Sequence, residues 1–129
     1  MKLAKILYVE DEADIRAVAQ LALEMVGGFK LQICSSGAEA ISQAEAFAPD
    51  LILLDVMMPG MDGPTTLQGL RERSSLANIP AVFMTAKVQP TEIAHFKSLG
   101  ALDVIAKPFD PMALAGQIKH IWEQRHGGT

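Results

Sequence analysis

The chain alternates short apolar runs with longer stretches in which apolar residues recur at helical spacing. All but the last of the short runs are continuous rather than alternating, which is typical of parallel strands buried on both faces. Each run is also too short for a helix of normal length. We therefore predict five strands, which contain residues 6–9, 31–34, 51–54, 81–84 and 104–106.

The stretches between these runs predict helices, and several carry start or stop signals. Ser36 is a good helix N-cap, a third helix begins near Asp62, and Pro90 suits the first position of a fourth. Pro49 halts the second helix, and the glycine pair at 27–28 halts the first. The predicted inward residues are Ile15, Val18, Ala19, Ala22 and Val26 in the first helix, Ala40, Ile41, Ala44 and Phe47 in the second, Leu67 and Leu70 in the third, Ile93 and Phe96 in the fourth, and Leu114, Ala115, Ile118, Ile121 and Trp122 in the last.

Strand and helix alternate five times, which predicts an α/β fold with one doubly wound, five-stranded parallel sheet and helices on both faces. Ligands bind such sheets at the carboxyl ends of the strands, where the strand order reverses. If the first and third strands are neighbours, several carboxylates, a hydroxyl and an ammonium group share one rim. The polar residues at these strand ends are Glu10, Asp11, Glu12, Asp55, Thr85 and Lys107.

The carboxylates at this rim favour a divalent cation and a phosphoryl group as ligands. Clustered carboxylates repel one another unless positive charge compensates, and Mg²⁺ prefers hard oxygen ligands together with phosphate oxygens. Lys107 offers further positive charge to a phosphoryl group, and the Thr85 hydroxyl can donate a hydrogen bond to it. An Asp carboxylate can itself accept a phosphoryl group as an acyl phosphate, and we predict that role for Asp55.

Composition narrows the classes of partner and compartment. The chain has 129 residues and a net charge of −4, which fits one domain and gives no electrostatic case for nucleic acid or an anionic membrane as a partner. Cys34, the single cysteine, cannot form an internal disulfide, and no apolar run approaches the roughly 18 residues of a spanning helix. Acidic residues follow the first apolar run at once, which argues against a signal peptide. We expect a cytoplasmic domain over residues 1–126, a frayed tail at 127–129 and no output domain.

Four segments of the chain resemble the response-regulator receiver domain of two-component signalling. They read ILYVEDE, LILLDVMMPGMDG, VFMTA and KPF, and the resemblance extends over residues 5–125. It implies a flavodoxin-like fold with the strand order 2-1-3-4-5, like that of the chemotaxis regulators. The strand order therefore comes from the resemblance and not from the periodicity of the chain.

The resemblance also implies a role for each matching residue. Asp55 is the expected phosphate acceptor, with Thr85 as the switch hydroxyl and Lys107 as the lysine that pairs with it. The peptide bond between Lys107 and Pro108 is expected to be cis. The expected ligands of Mg²⁺ (or Mn²⁺) are the side chains of Glu10, Asp11 and Asp55 and the backbone carbonyl of Met57.

Two positions depart from the usual pattern of the family, and two others are expected to affect the lifetime of the phosphorylated form. Glu10 is longer than the Asp often found there, so we expect it to act through water while Asp11 binds the cation directly. Val104 stands where the family often has Tyr or Phe, so no aromatic ring can couple the site to the surface. Met57 and Lys87 are expected to flank the path of an attacking water and to slow hydrolysis of the aspartyl phosphate.

These features predict a stand-alone receiver that acts as a phosphorylation switch. A sensor histidine kinase or a histidine phosphotransfer domain would supply the phosphoryl group to Asp55. The chain would catalyse only its own phosphorylation and dephosphorylation, and it is not expected to be a metabolic enzyme. The fourth helix, fifth strand and fifth helix would present a changed surface, around residues 93–97, Val104 and Gln117, to a protein target or a second copy.

Three alternatives stay open on the sequence alone. The first is an interaction module that keeps the fold without phosphorylation, and the second is a receiver fragment of a larger regulator or hybrid histidine kinase. The third is a small-molecule enzyme on the same sheet. A haloacid-dehalogenase-type phosphatase needs a second Asp where Met57 stands, and a flavin carrier needs a phosphate-binding loop where residues 10–12 are acidic.

Overall fold

The computed structural model describes residues 2–127 and contains five strands that alternate with helices. The strands are β1 (Lys5–Val9), β2 (Lys30–Cys34), β3 (Leu51–Asp55), β4 (Ala81–Thr85) and β5 (Asp103–Ala106). The helices are α1 (Ala13–Gln20), α2 (Gly37–Phe47), α3 (Gly63–Arg71), α4 (Pro90–Ser98) and α5 (Leu114–Gly127). A π-helical segment (Leu21–Val26) continues α1, and a short 3-10 turn (Ser74–Leu76) follows α3. Each strand lies where the apolar runs predicted it.

The strands form one parallel sheet in the order β2-β1-β3-β4-β5, which confirms the expected topology. Val9 pairs with Leu54, so the residues that follow β1 and β3 emerge side by side. Thr85 pairs with Ala106, which extends the same rim to β4 and β5. The sheet thus collects the carboxyl ends of four neighbouring strands at one edge.

Apolar side chains cover both faces of the sheet and divide the core into two layers. Alternate residues of β1 point to opposite faces, so Ile6 and Tyr8 join one layer while Leu7 and Val9 join the other. The first layer includes residues of α1, the π-helical segment and α5, and the second includes residues of α2, α3 and α4. Helices therefore cover both faces, as predicted. All five residues of β3 are buried, including Asp55 at its carboxyl end. The strand therefore runs through the core and ends in Asp55 at the rim of the sheet.

Local signals set several helix boundaries at the predicted places. The Ser36 hydroxyl accepts a hydrogen bond from the backbone N–H three residues later at 3.1 Å, which starts α2. The Asp62 carboxylate caps α3 in the same way at 2.8 Å. Pro90 is the first residue of α4, and α2 ends ahead of Pro49.

The predicted inward face of the first helix is wrong at two positions. Val18 is 42% exposed and Val26 is 46% exposed. Ala19 and Ala22 are buried as predicted, and Val18 lies at the margin of that face. The wider turn of the π-helical segment rotates its residues away from α-helical spacing, so Leu23 faces the core and Val26 faces solvent.

The described part of the chain ends in α5. This helix extends through Gly127, the first residue of the predicted frayed tail, and Gly128 and Thr129 lie outside the described residues. No helix within residues 2–127 is both long and apolar enough to cross a lipid bilayer.

Candidate functional site

The carboxyl ends of β1 and β3 bring three carboxylates together. Glu10, Asp11 and Asp55 each place a carboxylate oxygen within 4.8 Å of the others. Glu10 is fully buried, Asp55 is 3% exposed and Asp11 is partly exposed. The sheet register causes this grouping, because Val9 pairs with Leu54 and the two chains continue side by side. We call these three residues the acidic cluster.

Lys107 follows β5 directly and supplies positive charge to the acidic cluster. Its Nζ lies 2.9 Å from Oε1 of Glu10 and 3.0 Å from Oδ1 of Asp55. The Lys107 side chain is only 17% exposed, so these charge-assisted hydrogen bonds are largely shielded from water. One ammonium faces three carboxylates, and the cluster therefore keeps an excess of negative charge.

These charges shift two pKa values. Burial raises the pKa of Asp55 to about 6; the hydrogen bond from Lys107 opposes this rise, and the negative charge of Glu10 adds to it. Burial disfavours the charged form of Lys107, but its hydrogen bonds with Glu10 and Asp55 outweigh that effect and raise the pKa of the ammonium. The carboxylates are thus held together at an electrostatic cost, which a cation bound among them would relieve.

The donor atoms at this rim fit a hard divalent cation. Carboxylate oxygens of the acidic cluster converge, and the backbone carbonyl of Met57 comes two residues after Asp55 in the adjoining loop. Such oxygens are the ligands that Mg²⁺ prefers, usually together with water. Asp11 is the most exposed of the three acids and so keeps access to solvent.

Thr85 ends β4 at the same rim, beside Lys107. The backbone N–H of Lys107 donates to the Thr85 carbonyl at 2.9 Å and extends the pairing of β4 with β5. The Thr85 side chain is buried, and its Oγ1 accepts a hydrogen bond from the backbone N–H of Lys87 at 3.1 Å. The hydroxyl is therefore tied to the loop that leads into α4.

Comparison with known proteins identifies the family. The family model of the response regulator receiver domain matches residues 6–119. The chain belongs to the response regulator receiver family. Receiver domains are signalling switches of two-component systems, in which response regulators partner with sensor kinases, and they are not metabolic enzymes.

Two curated relatives are transcriptional regulators. The alkaline phosphatase synthesis transcriptional regulatory protein PhoP of Bacillus subtilis (strain 168) is 38% identical over 117 residues, which cover 91% of this chain and 48% of that protein. The transcriptional regulatory protein CseB of Streptomyces coelicolor is 34% identical over 116 residues, which cover 90% of this chain and 48% of that protein. This receiver domain spans about half the length of the curated relatives it matches.

Solved structures share the whole receiver fold. The chemotaxis response regulator CheY4 of Vibrio cholerae superposes with a TM-score of 0.85 at 28% identity, covering 93% of this chain and 99% of that one. The signal receiver domain of a signal transduction histidine kinase from Syntrophus aciditrophicus has a TM-score of 0.77 at 31% identity, covering 92% of this chain and 89% of that one. Receiver domains of this fold thus occur in chemotaxis proteins and in kinases.

The remaining predicted residues of the receiver domain lie in the loops at the rim, except Val104, which lies within β5. The peptide bond between Lys107 and Pro108 is cis, as the family resemblance implied. Met57 is 68% exposed in the loop after Asp55, and Lys87 is exposed in the loop after β4. Val104 is partly buried and packs against the second core layer. An aliphatic side chain thus fills this place on β5, and no aromatic ring lies there.

Two residues of the receiver domain contact Glu10 and were not predicted. The fully buried Tyr8 hydroxyl donates a long hydrogen bond to Oε1 of Glu10 at 3.4 Å. Burial, and then the charges of Glu10 and Asp55, raise the pKa of Tyr8, so the phenol stays protonated. The Arg16 guanidinium donates to the backbone carbonyl of Glu10 at 2.8 Å. The sequence could have indicated the contact of Tyr8, because Tyr8 precedes Glu10 by two residues and side chains two apart along an extended chain point to the same face.

A close backbone contact explains one glycine of the turn after Asp55. A Cβ added at Gly63 would lie 2.6 Å from the backbone carbonyl oxygen of Asp55, so no side chain fits there without a shift of the backbone. The Gly63 N–H donates to the carbonyl of Val56 at 2.9 Å. Gly63 thereby lets the start of α3 pack directly against the residue that carries the central carboxylate.

Proposed function

We propose that this receiver domain takes a phosphoryl group onto Asp55 from a phosphohistidine. The observation that carries the proposal is the buried Asp55 carboxylate, which lies among two further carboxylates and 3.0 Å from the Lys107 ammonium. A carboxylate oxygen of Asp55 forms the new bond to phosphorus while the phosphorus–nitrogen bond breaks, and the leaving imidazole keeps that electron pair. The donor is a sensor histidine kinase or a histidine phosphotransfer domain. The chain catalyses only its own phosphorylation and dephosphorylation.

The proposed cofactor is Mg²⁺, or Mn²⁺ in its place. Asp11, Asp55 and the backbone carbonyl of Met57 would hold the cation, and Glu10 would act through water. When bound, the cation supplies positive charge that neutralises phosphoryl oxygens. With a pKa of about 6, Asp55 is largely ionised at neutral pH and so has the negatively charged oxygen that attacks phosphorus.

Lys107 and Thr85 are proposed to distinguish the phosphorylated form from the free form. The Lys107 ammonium already contacts Glu10 and Asp55 and would gain a phosphoryl oxygen as a partner. The Thr85 hydroxyl, now held by the backbone N–H of Lys87, would turn to another phosphoryl oxygen. Contacts that exist in only one form shift the equilibrium toward that form.

The surface formed by α4, β5 and α5 is the proposed output of this shift. Thr85 pairs with Ala106 in the sheet, so a change at the Thr85 hydroxyl lies one strand away from this surface. Because Val104 has no ring to rotate, the coupling would run through the loop before α4. The partner is a protein target or a second copy, and no contact with nucleic acid or membrane is proposed for this domain. A groove on this surface is lined by residues that include Val88, Ile93, Val104, Gln117 and Ile121.

The receiver is proposed to occupy residues 1–126 and to act in the cytoplasm. Since the chain spans about half the length of the curated relatives, a receiver segment of a larger regulator is the second candidate. That larger protein could also be a hybrid histidine kinase, because the chain is similar to the receiver domain of a histidine kinase from Syntrophus aciditrophicus. In each case the chemistry proposed for Asp55 is the same.

Acetyl phosphate tests the proposed chemistry without knowledge of the donor protein. We expect the purified chain to gain the mass of one phosphoryl group when it is incubated with acetyl phosphate and Mg²⁺. The same incubation with a chelator in place of Mg²⁺ is expected to give little or no product. Intact-protein mass spectrometry after an acid quench measures both. A chain that stays unmodified with Mg²⁺ present would contradict the proposed chemistry and favour an interaction module that keeps the fold without phosphorylation.

The aspartyl phosphate is expected to decay faster in the double variant Met57→Asn/Lys87→Glu than in the wild type. Met57 is an exposed, apolar side chain close to Asp55, whereas an amide and a carboxylate at these positions can orient an attacking water. We expect an acceleration of about tenfold, a small part of what general base catalysis can supply. The measurement is the loss of phosphoprotein with time, by mass spectrometry, after acetyl phosphate is removed.

Met112→Asn is the control for this experiment. Met112 is 72% exposed, much like Met57, but it lies in the segment before α5. Its substitution is expected to leave the decay unchanged. A double variant that decays at the wild-type rate or more slowly would refute the role of Met57 and Lys87.

A further inference from the structure

Tyr8 carries a hydroxyl group that its place in the core does not require. Its ring belongs to the first core layer, and the side chain is fully buried. A Phe would fill nearly the same space without a polar atom, and a buried hydroxyl is unfavourable unless it is hydrogen-bonded. The partner that the structure gives this hydroxyl is Oε1 of Glu10, at 3.4 Å. The hydroxyl is therefore directed from the core to the acidic cluster.

Glu10 benefits from such a contact because its side chain is long. A Glu has one more rotatable bond than an Asp, so its carboxylate is less well fixed unless other groups hold it. Here the carboxylate is held from three directions: Oε1 accepts from Tyr8 and from Lys107, and Oε2 accepts from the backbone N–H of Glu12 at 3.2 Å. Lys107 is shared with Asp55, whereas the Tyr8 hydroxyl serves Glu10.

We propose that Tyr8 is a positioning residue of the cation site, whose hydroxyl fixes the carboxylate of Glu10 and so favours Mg²⁺ over Ca²⁺. The inference rests on the proposed function and adds to it a determinant of metal selectivity. Mg²⁺ requires short distances and near-octahedral geometry, whereas Ca²⁺ accepts variable distances and ligand numbers. Groups behind the ligands contribute to affinity by orienting them. Because Glu10 would hold a water bound to the cation, a Glu10 carboxylate that is free to move misplaces that water and weakens Mg²⁺ binding more than Ca²⁺ binding.

The variant Tyr8→Phe removes the hydroxyl and keeps the ring. We expect the dissociation constant for Mg²⁺ to rise about tenfold, at the lower end of the effect of such supporting contacts because the hydrogen bond is long. The dissociation constant for Ca²⁺ is expected to change by less than about threefold, since its coordination tolerates movement. Titrations of the full chain with each cation, followed through backbone amide signals by NMR, give both constants.

A double-mutant cycle with Glu10→Ala distinguishes positioning from a general effect on the fold. If Tyr8 acts through Glu10, then Tyr8→Phe causes no further loss of Mg²⁺ affinity once the Glu10 carboxylate is absent. Losses that multiply in the double variant would overturn the proposal. A Mg²⁺ affinity of Tyr8→Phe within about twofold of wild type would overturn it as well.

A spectroscopic measurement tests the same contact in the unsubstituted chain. Tyr8 is the only tyrosine in the sequence, so growth with 3-fluorotyrosine gives a single ¹⁹F signal at this site. We expect that signal to shift during the Mg²⁺ titration with the same midpoint as the amide signals, and to stay unshifted in Glu10→Ala. A ¹⁹F signal unaffected by saturating Mg²⁺ contradicts the role of Tyr8.

The two proposals fail in different ways. A wild-type chain whose amide signals do not respond to Mg²⁺ refutes the proposed cofactor, and the role of Tyr8 fails with it. If the wild-type chain binds Mg²⁺, and Tyr8→Phe discriminates against Ca²⁺ as well as the wild type does, then only the role of Tyr8 is refuted.

Discussion

Asp55→Asn is expected to reduce phosphoryl incorporation from acetyl phosphate to below detection. The amide keeps the size of the side chain but has no negatively charged oxygen to attack phosphorus. Intact-protein mass spectrometry under the conditions that modify the wild type measures the loss. Asp62→Asn is the matched control, because Asp62 caps α3 outside the acidic cluster and Asn is an equally good cap. Incorporation that persists in Asp55→Asn would place the phosphate acceptor elsewhere, and peptide mapping would locate it.

The same substitution is expected to stabilise the fold at alkaline pH. Burial raises the pKa of Asp55 to about 6, so the folded chain binds this proton more tightly than the unfolded chain, whose pKa is near 3.9. The free energy of unfolding of the wild type therefore falls as the pH rises from about 4 through about 6. Asn does not titrate, so we expect the variant to exceed the wild type by roughly 2–3 kcal/mol at pH 8 and nearly to match it near pH 4. Urea unfolding at both pH values measures this difference, and a less stable variant at pH 8 would contradict it.

Lys107→Met is expected to cause the largest loss of stability, and to do so mainly above neutral pH. The substitution leaves Glu10 and Asp55 without the ammonium that both contact. Removing one partner of a buried ion pair costs about 3–5 kcal/mol, and we expect about 2–4 kcal/mol here because Asp55 escapes part of the cost by protonation. Without Lys107 the pKa of Asp55 rises further, since the hydrogen bond that opposed its rise is gone. The loss therefore diminishes as the pH falls below that pKa, which urea unfolding at pH 5 and pH 8 measures.

Lys97→Met is the matched control for Lys107→Met. Lys97 also pairs with an acid, but its Nζ lies 3.9 Å from Oδ1 of Asp103, and the two side chains are 50% and 40% exposed. Surface pairs of this kind contribute about 0–1 kcal/mol. Adding Asp55→Asn to Lys107→Met is expected to restore part of the stability, because one unpaired carboxylate is removed. Equal losses in the two lysine variants at pH 8 would show that Lys107 does not neutralise the acidic cluster.

The central strands and the carboxylate at the end of β3 were predictable because burial on both faces restricts the choice of residues. Each position of β3 is buried, and its sequence is apolar until Asp55. The prediction that Val26 faces inward was wrong for a different reason. Apolar periodicity assumes α-helical spacing, and the π-helical segment departs from it.

Contacts between distant strands were less accessible to sequence reasoning. Lys107 and Glu10 lie 97 positions apart, and their contact depends on the order of strands in the sheet. Periodicity predicts the strands but not their order, which came from the resemblance to a family. Arg16 illustrates the same limit, because its reach to the Glu10 backbone depends on how α1 lies over β1. The Tyr8 hydroxyl could have been placed by strand alternation alone.

The distribution of the acidic cluster and Lys107 along the chain determines when the site is complete during translation. Glu10 and Asp55 leave the ribosome well before Lys107, which follows the last strand of the sheet. Until Lys107 emerges, the two carboxylates have no shared ammonium and β4 has no neighbour on one side. If the site has the proposed function, a nascent chain would therefore offer a complete phosphate acceptor to a kinase only after synthesis has passed the fifth strand.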